Sequence, residues 1–260
     1  MQGSAAYNLV FAACVCFVCA VVVSSSNVVL ADLQNRNALL DKQRNVLLAA
    51  GFVDEEERLT SDEVEARFEP IDQILLDLDS GEIIEGVDPG EFDQRAATND
   101  PTRSRVAPDN AARVPRLPDW VLVYEVRDER GQLDLVVLPV EGLGLWGTLY
   151  GFVALDGDLR TIRGLTFYEH KETPGLGGEV DNPRWKARWP GRLAFDDELA
   201  PVVRVVKGVA GAVADDPYAV DGLSGATITS RGVTNLLQFW LGPDGFEPYL
   251  TRLRQNEGTG

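Results

Sequence analysis

The sequence predicts an α+β protein: a single N-terminal transmembrane helix followed by a soluble domain of mixed α and β structure. Three features carry that expectation. Residues 1–31 hold no charged side chain. Residues 121–168 hold four β-rich runs separated by turn residues. Beyond them, Val233, Leu236, Leu237 and Trp240 recur at helical spacing.

From Tyr7 to Ala31 a helix would extend about 37 Å, more than a hydrocarbon core of about 30 Å. Residues 9–23 are its most apolar part. Val29-Leu30-Ala31 also reads as a signal-cleavage site, but the positively charged segment that begins such leaders is missing. A retained anchor in the lipid bilayer is therefore expected, with residues 1–32 as tip and span. Leu33, Leu40 and Leu47 repeat every seven residues beside Leu39 and Val46, so the helix is expected to continue out of the membrane until Gly51 stops it.

Residues 33–118 are expected to form this juxtamembrane helix, an acidic helical region and a linker. Asp54-Glu55-Glu56-Glu57 reads as a solvated helix start, and Ile71, Ile74, Leu75 and Leu78 keep a helical stripe. Residues 99–118, rich in Pro, Arg and Asn, read as a long loop. The core domain is expected over residues 119–250, with strands at 121–126, 133–140, 148–155 and 159–168. Asp128-Glu129-Arg130-Gly131 and Asp156-Gly157-Asp158 are the turns between them. Residues 202–213 read as a further strand region, and residues 251–260 as a flexible tail.

With 260 residues, 45% of them hydrophobic, the chain can bury a core, which excludes disorder throughout. A net charge of −17 excludes nucleic acid as a partner, because its phosphates would be repelled. Cys14, Cys16 and Cys19 all lie in the apolar span, so the soluble part has no disulfide. His170 is the only histidine, which excludes metal sites needing two imidazoles and leaves open only a carboxylate ion site; no metal is expected.

Three segments carry candidate chemistry. Asp221-Gly222-Leu223-Ser224-Gly225-Ala226-Thr227-Ile228-Thr229-Ser230 sets hydroxyls and small residues at the mouth of the C-terminal helix. It reads either as an ordinary capping turn or as an anion site, where free N–H groups and the helix dipole would meet a phosphate. Gly142-Leu143-Gly144-Leu145-Trp146-Gly147 satisfies G-x-G-x-x-G, but the next residues favour a strand where a dinucleotide site needs a helix. Leu145 and Trp146 instead offer an apolar face to a flat ring, or pack in the core. In Glu172-Thr173-Pro174-Gly175-Leu176-Gly177-Gly178-Glu179, Pro174 fixes one dihedral and the glycines permit positive ones. That makes either a structural turn or a loop that approaches a ligand and projects Leu176.

The pattern Asp-x-x-Ser-Gly-Ala-Thr-x-Thr resembles the flavinylation motif of the FMN-binding domain shared by subunits of the sodium-translocating NADH:quinone reductase and the related Rnf complexes. The segment from Glu172 to Glu179 resembles that family at the matching separation. Residues 33–50 and Asp181-Asn182-Pro183-Arg184-Trp185-Lys186 are similar to the C subunit of the sodium pump. The resemblance implies FMN joined through a phosphoester to Thr227, with Ser224, Gly225, Ala226 and Thr229 completing the attachment segment. It also implies that the turn carrying Leu145 and Trp146 borders the flavin; Leu176 is then expected against one face of the ring, Thr173 bonding by hydroxyl or backbone to its polar edge, and Gly175 in the cofactor-binding loop that lets the backbone approach. No residue is then catalytic: Thr227 is an attachment point, and the flavin relays electrons. The implied partners are the other subunits of the membrane quinone reductase complex and a flavin transferase that uses FAD as donor. The implied location is a bacterial inner membrane, single-pass, with a periplasmic domain, although Arg36, Lys42 and Arg44 would by the positive-inside rule keep it inside.

Three rivals stand beside this reading: the flavin subunit of an Rnf-type, ferredoxin-linked complex, a flavin-binding module without electron traffic, and a membrane-tethered serine hydrolase. In the last, Ser224 would be nucleophile and His170 base, though Gly222-Leu223-Ser224-Gly225-Ala226 lacks the final glycine of G-x-S-x-G.

Overall fold

The computed structural model describes residues 5–258. The chain divides into two compact units, residues 1–42 and 43–260. The first consists of most of helix α1 (Ala5–Ala50). Within it, Tyr7–Ser25 has a mean hydropathy of 2.4 over 19 residues and is buried nowhere, so it is long and apolar enough to cross a membrane. Cys14, Cys16 and Cys19 sit exposed on this stretch as free thiols.

The second unit begins in the last turns of α1, where Val46, Leu47, Ala49 and Ala50 are fully buried and Gly51, at φ +73°, ends the helix. It continues through α2 (Ser61–Phe68), β1 (Asp72–Asp77), α3 (Gln94–Asn99), β2 (Ser104–Val106), β3 (Arg116–Pro118) and β4 (Trp120–Arg127). Then come β5 (Leu133–Leu143), β6 (Thr148–Asp156), β7 (Ile162–Glu169), α4 (Pro183–Lys186), β8 (Arg204–Val205), β9 (Ala219–Val220), α5 (Thr227–Trp240) and α6 (Glu247–Glu257). One antiparallel sheet runs β1-β4-β5-β6-β7, while β8 and β9 form a short parallel pair.

Both faces of the sheet are covered. On one, Val136, Leu138, Val140 and Val153 meet Val233, Leu236, Leu237 and Trp240 of α5 and Leu250 of α6. On the other, the rings of Phe68, Tyr124, Phe152 and Tyr168 form a file with centroid spacings of 5.9, 5.9 and 5.2 Å. The end of α1 lies directly on this unit: a Cβ on Gly164 would stand 2.3 Å from the Ala49 carbonyl oxygen. Burial on both sides explains why residues 135–140 of β5 run Leu-Val-Val-Leu-Pro-Val without alternation.

The four central strands lie where the sequence places them, except that β7 starts at Ile162 because Leu159, buried at φ 55°, belongs to the preceding turn. Other expectations need correction. The acidic tract 54–57 starts no helix. α2 starts after Thr60, whose hydroxyl accepts from Glu63 N at 3.4 Å while Glu63 Oε2 accepts from Thr60 N at 2.8 Å, a reciprocal capping box. The apolar stripe near Ile74 and Leu75 is β1, a six-residue run between Pro70 and Gly81 that is too short for a stable helix. Residues 99–118 hold the β2–β3 hairpin, and Ala112, Val114 and Leu117 are buried. Of 202–213 only Arg204–Val205 is strand, because Gly208 and Gly211 turn the chain at φ +85° and +84°. The separation of 33–118 from the core dissolves after residue 43, since β1 is an edge strand of the main sheet. Nor does a tail begin at 251: α6 continues to Glu257, Leu253 and Arg254 are buried, and Arg254 Nη2 donates to the Leu159 carbonyl at 3.0 Å.

Candidate functional site

α5 starts at the end of a glycine-rich connection from β9. Its N-cap is Ala226, whose methyl accepts no hydrogen bond, and no side chain caps the first turn. The simple capping reading of Ser224 and Thr229 therefore fails, and the first-turn N–H groups lack a side-chain acceptor.

The polar side chains of the segment separate by direction. Asp221 is buried: its Oδ1 accepts from Ala210 N at 2.8 Å, its Oδ2 pairs with Arg188 Nη1 at 2.5 Å, and its carbonyl accepts from Trp185 Nε1 at 2.8 Å. Ser230 Oγ accepts from Leu223 N at 3.0 Å, and fully buried Thr229 donates to Glu172 Oε2 at 2.5 Å. These bonds hold the segment against the core. Ser224, Gly225, Thr227 and Ile228 face outward. Among the described residues the Ser224 and Thr227 hydroxyls make no hydrogen bond.

Glu172 is the residue that sequence reasoning missed. Only 5% exposed, it accepts through Oε1 from both Leu145 N and Trp146 N at 2.9 Å and through Oε2 from Thr229. One carboxylate thus joins the 144–147 turn, the 172–179 loop and the start of α5. The signal for it was present: an acid opening a glycine-rich loop, in a chain whose other glycine-rich turn has N–H groups to satisfy. Close packing also explains the glycines of the G-x-G-x-x-G turn. A Cβ on Gly142 would stand 2.6 Å from Leu236 Cβ, and one on Gly144 would stand 2.5 Å from Glu172 Oε1. β6 follows directly, so the turn has no helix to offer a pyrophosphate.

With their backbone held from behind, Leu145 and Trp146 turn their side chains out, 43% and 65% exposed. Core packing does not account for Trp146. Leu176, 46% exposed, brings its Cδ2 to 3.0 Å from where a Cβ on Gly225 would lie, so the two motif segments meet there. Gly175 sits at φ +76°, and the Thr173 carbonyl accepts from Leu176 N at 3.1 Å and Gly178 N at 3.0 Å, leaving the exposed Thr173 hydroxyl outside the loop's own bonding. A cleft of about 700 Å³, lined in part by Ser224, Gly225 and Thr227, opens between residues 204–209 and the segment 221–231. Sequence reasoning did not find it, because it depends on the parallel pairing of β8 with β9.

The structure does not bring Ser224 and His170 together as a nucleophile and base. His170 Nδ1 accepts from Glu172 N at 3.1 Å and Nε2 is bonded to Asp181 Oδ2 at 2.7 Å, while the Ser224 hydroxyl has no hydrogen-bond partner among the described residues. The hydrolase reading is excluded by that geometry.

An unengaged hydroxyl at an uncapped helix start, between an apolar rim and an open cleft, fits a planar cofactor that carries a phosphate. Residues 144–242 match the FMN-binding domain family, the class of protein that this fold and site define. The C subunit of the Na(+)-translocating NADH-quinone reductase of Yersinia pestis is 47% identical, covering 92% of this chain and 90% of that one. Its counterpart from Pseudomonas aeruginosa is 45% identical, covering 98% of each. Among solved structures, NqrC of Shewanella oneidensis superposes with a TM-score of 0.76 at 36% identity, covering 86% of this chain and 99% of that one. The corresponding protein from Parabacteroides distasonis gives 0.62 at 30% identity, covering 85% and 97%. The chain belongs to the family of C subunits of the Na(+)-translocating NADH-quinone reductases.

Proposed function

We propose that this chain is the electron-carrying flavoprotein subunit of a membrane-bound Na(+)-translocating NADH:quinone reductase, with FMN joined through its phosphate to Thr227 Oγ1. One observation carries the attachment. Of the motif's four hydroxyls, Thr229 and Ser230 are used inside the fold, and of the exposed pair Thr227 holds both the first position of α5 and the motif position after alanine.

The bound flavin supplies the redox chemistry, and the chain supplies placement. Leu176, Leu145 and Trp146 give the ring an apolar face, and Thr173 stands at its polar edge. Glu172 holds the three segments that form this surface. Ser224, Gly225 and Ala226 keep the approach to Thr227 open. When FAD is the donor, the Thr227 oxygen bonds to the flavin-side phosphorus and the pyrophosphate P–O bond breaks. AMP leaves, and the hydroxyl proton is released. That step belongs to a separate flavin transferase, and electron transfer to quinone belongs to the assembled complex with its other subunits. In this reading the span of α1 is an anchor in a bacterial inner membrane, with the soluble unit on the periplasmic side. A covalent tether there prevents loss of a cofactor that has no local supply.

The test is mass spectrometry of the tryptic peptide 208–231 from protein made alongside a flavin transferase. The expected result is an FMN-sized increment on Thr227. An unmodified peptide would overturn the attachment.

A further inference from the structure

The ring has a surface assigned to it, but the phosphate does not. The cleft beside Thr227 is entered by three cations, Arg204, Lys207 and Arg231. Arg204 is paired with Asp216 at 2.5 Å, and Asp221 is already bonded to Arg188 and to Ala210 N. Lys207 and Arg231 remain: among the described residues neither makes an ion pair, in a chain where 41 acidic side chains outnumber 24 basic ones. Other cations among the described residues are unpaired as well, but these two line the same cleft as Thr227.

Their positions are tied to Thr227 from both walls. Arg231 lies four residues after Thr227 on α5, so the two share a face one turn apart. Lys207 sits between two backbone hydrogen bonds to β9 and the start of the motif segment, Val206 N to the Val220 carbonyl at 2.9 Å and Gly222 N to the Gly208 carbonyl at 2.8 Å. A Cβ on Gly222 would stand 2.2 Å from the Val206 carbonyl oxygen, so the segment carrying Lys207 is pressed directly on the attachment segment. A rigid backbone thus presents a compact ammonium on one wall, and a helix presents a guanidinium fork on the other.

We infer that Lys207 and Arg231 form the anion site for the flavin's phosphate, receiving it when the donor docks and holding the phosphodiester after the bond is made. This rests on the assignment of attachment to Thr227. It divides the cofactor at that residue: the ring lies toward Leu176 and Trp146, the phosphate toward the cleft.

The test uses the full chain in membranes, produced with a flavin transferase, as wild type, Lys207→Gln, Arg231→Gln and the double variant. The rate of FMN attachment is followed by intact mass, and the phosphodiester is observed by phosphorus NMR in the purified, loaded protein. Arg130→Gln removes one charge in the β4–β5 turn as a control. The double variant is expected to attach FMN roughly tenfold more slowly, with its phosphorus resonance displaced, while Arg130→Gln matches wild type. Lys207→Arg and Arg231→Lys, which keep the charge, are expected to stay near the wild-type rate. A double variant with wild-type rate and an unmoved resonance would overturn the anion site, as would an equal slowing by Arg130→Gln. Wild-type protein that stays unmodified would instead overturn the Thr227 assignment.

Discussion

Within the ten residues from Asp221 to Ser230, the inward and outward halves use the same chemistry for opposite ends. Thr229 and Ser230 face the core and are satisfied by Glu172 Oε2 and Leu223 N. Thr227 and Ser224 face solvent, and among the described residues nothing hydrogen-bonds their hydroxyls. Residue type does not distinguish the two threonines, but helix register does: positions two apart point about 200° apart around the axis. A buried hydroxyl organises the site, whereas an exposed one at a helix start is available to react. Substitutions at the two positions should therefore fail in different ways.

The largest expected effect is at Thr227. Thr227→Ala removes the attachment oxygen and, among the described residues, no hydrogen bond, so covalent flavin should vanish from the denatured chain in a fluorescence gel. Unfolding free energy should stay within about 0.5 kcal/mol of wild type. Flavin persisting on the variant would place the bond elsewhere and remove the functional half of the comparison.

Next comes Glu172→Ala, which leaves the buried Thr229 hydroxyl and the part-buried N–H groups of Leu145 and Trp146 without their acceptor. Chemical denaturation of the soluble unit's tryptophan signal should show a loss of about 3–5 kcal/mol, the combined cost of three donors left without an acceptor. The Thr227 hydroxyl remains in place, so residual flavinylation of the folded fraction is expected. A neutral change in stability would show that the three segments hold together without the carboxylate.

Thr229→Val isolates one of those bonds while keeping the side-chain shape. It should cost about 1.5–3 kcal/mol, the worth of a hydrogen bond to a charged group, and leave the flavin attached. If this variant lost its flavin at full stability, the division between inward and outward hydroxyls would be wrong.

What the sequence made legible follows the same line. The strands over 121–168 and helix α5 were readable because long apolar runs with turn residues between them leave little ambiguity. The segment 221–230 at the start of α5 was readable from its run of hydroxyl and small residues ahead of a helical apolar stripe. β1 was not, because Ile71, Ile74, Leu75 and Leu78 fit a helical stripe as well as a buried edge strand, and only pairing with β4 decides between them. Glu172 and the cleft were hidden for a further reason. The first joins residues 145, 172 and 229, and the second needs β8 beside β9 across a glycine-rich excursion. Neither relation has a local period. Thr60 and Glu63 are the converse case, a local signal that was present and overlooked.

A second carboxylate, Glu141, sharpens the contrast with Glu172 at the smallest expected scale. It projects from β5 beside Arg95, Arg113, Thr148 and Tyr150, and no described residue hydrogen-bonds its side-chain oxygens. Removal from water raises its pKa from 4.5 to about 7, and Arg95, shared with Glu169 and stacked 4.0 Å from the centre of the Tyr150 ring, lowers it only in part. Because the folded value lies above the unfolded one, the native state holds this proton more tightly. The associated stability is complete below about pH 4.5, is lost as pH rises through about 7, and changes no further above that. Glu141→Gln supplies a permanently neutral isostere. It should flatten this part of the profile and stabilise the chain at about pH 8 by about 1–2 kcal/mol, less than the full shift implies because the side chain is partly solvated. Urea denaturation in detergent near pH 5 and near pH 8 measures the difference. An unchanged profile would mean that water or movement of Arg95 already satisfies Glu141, and that burial without donors does not set this carboxylate apart from Glu172.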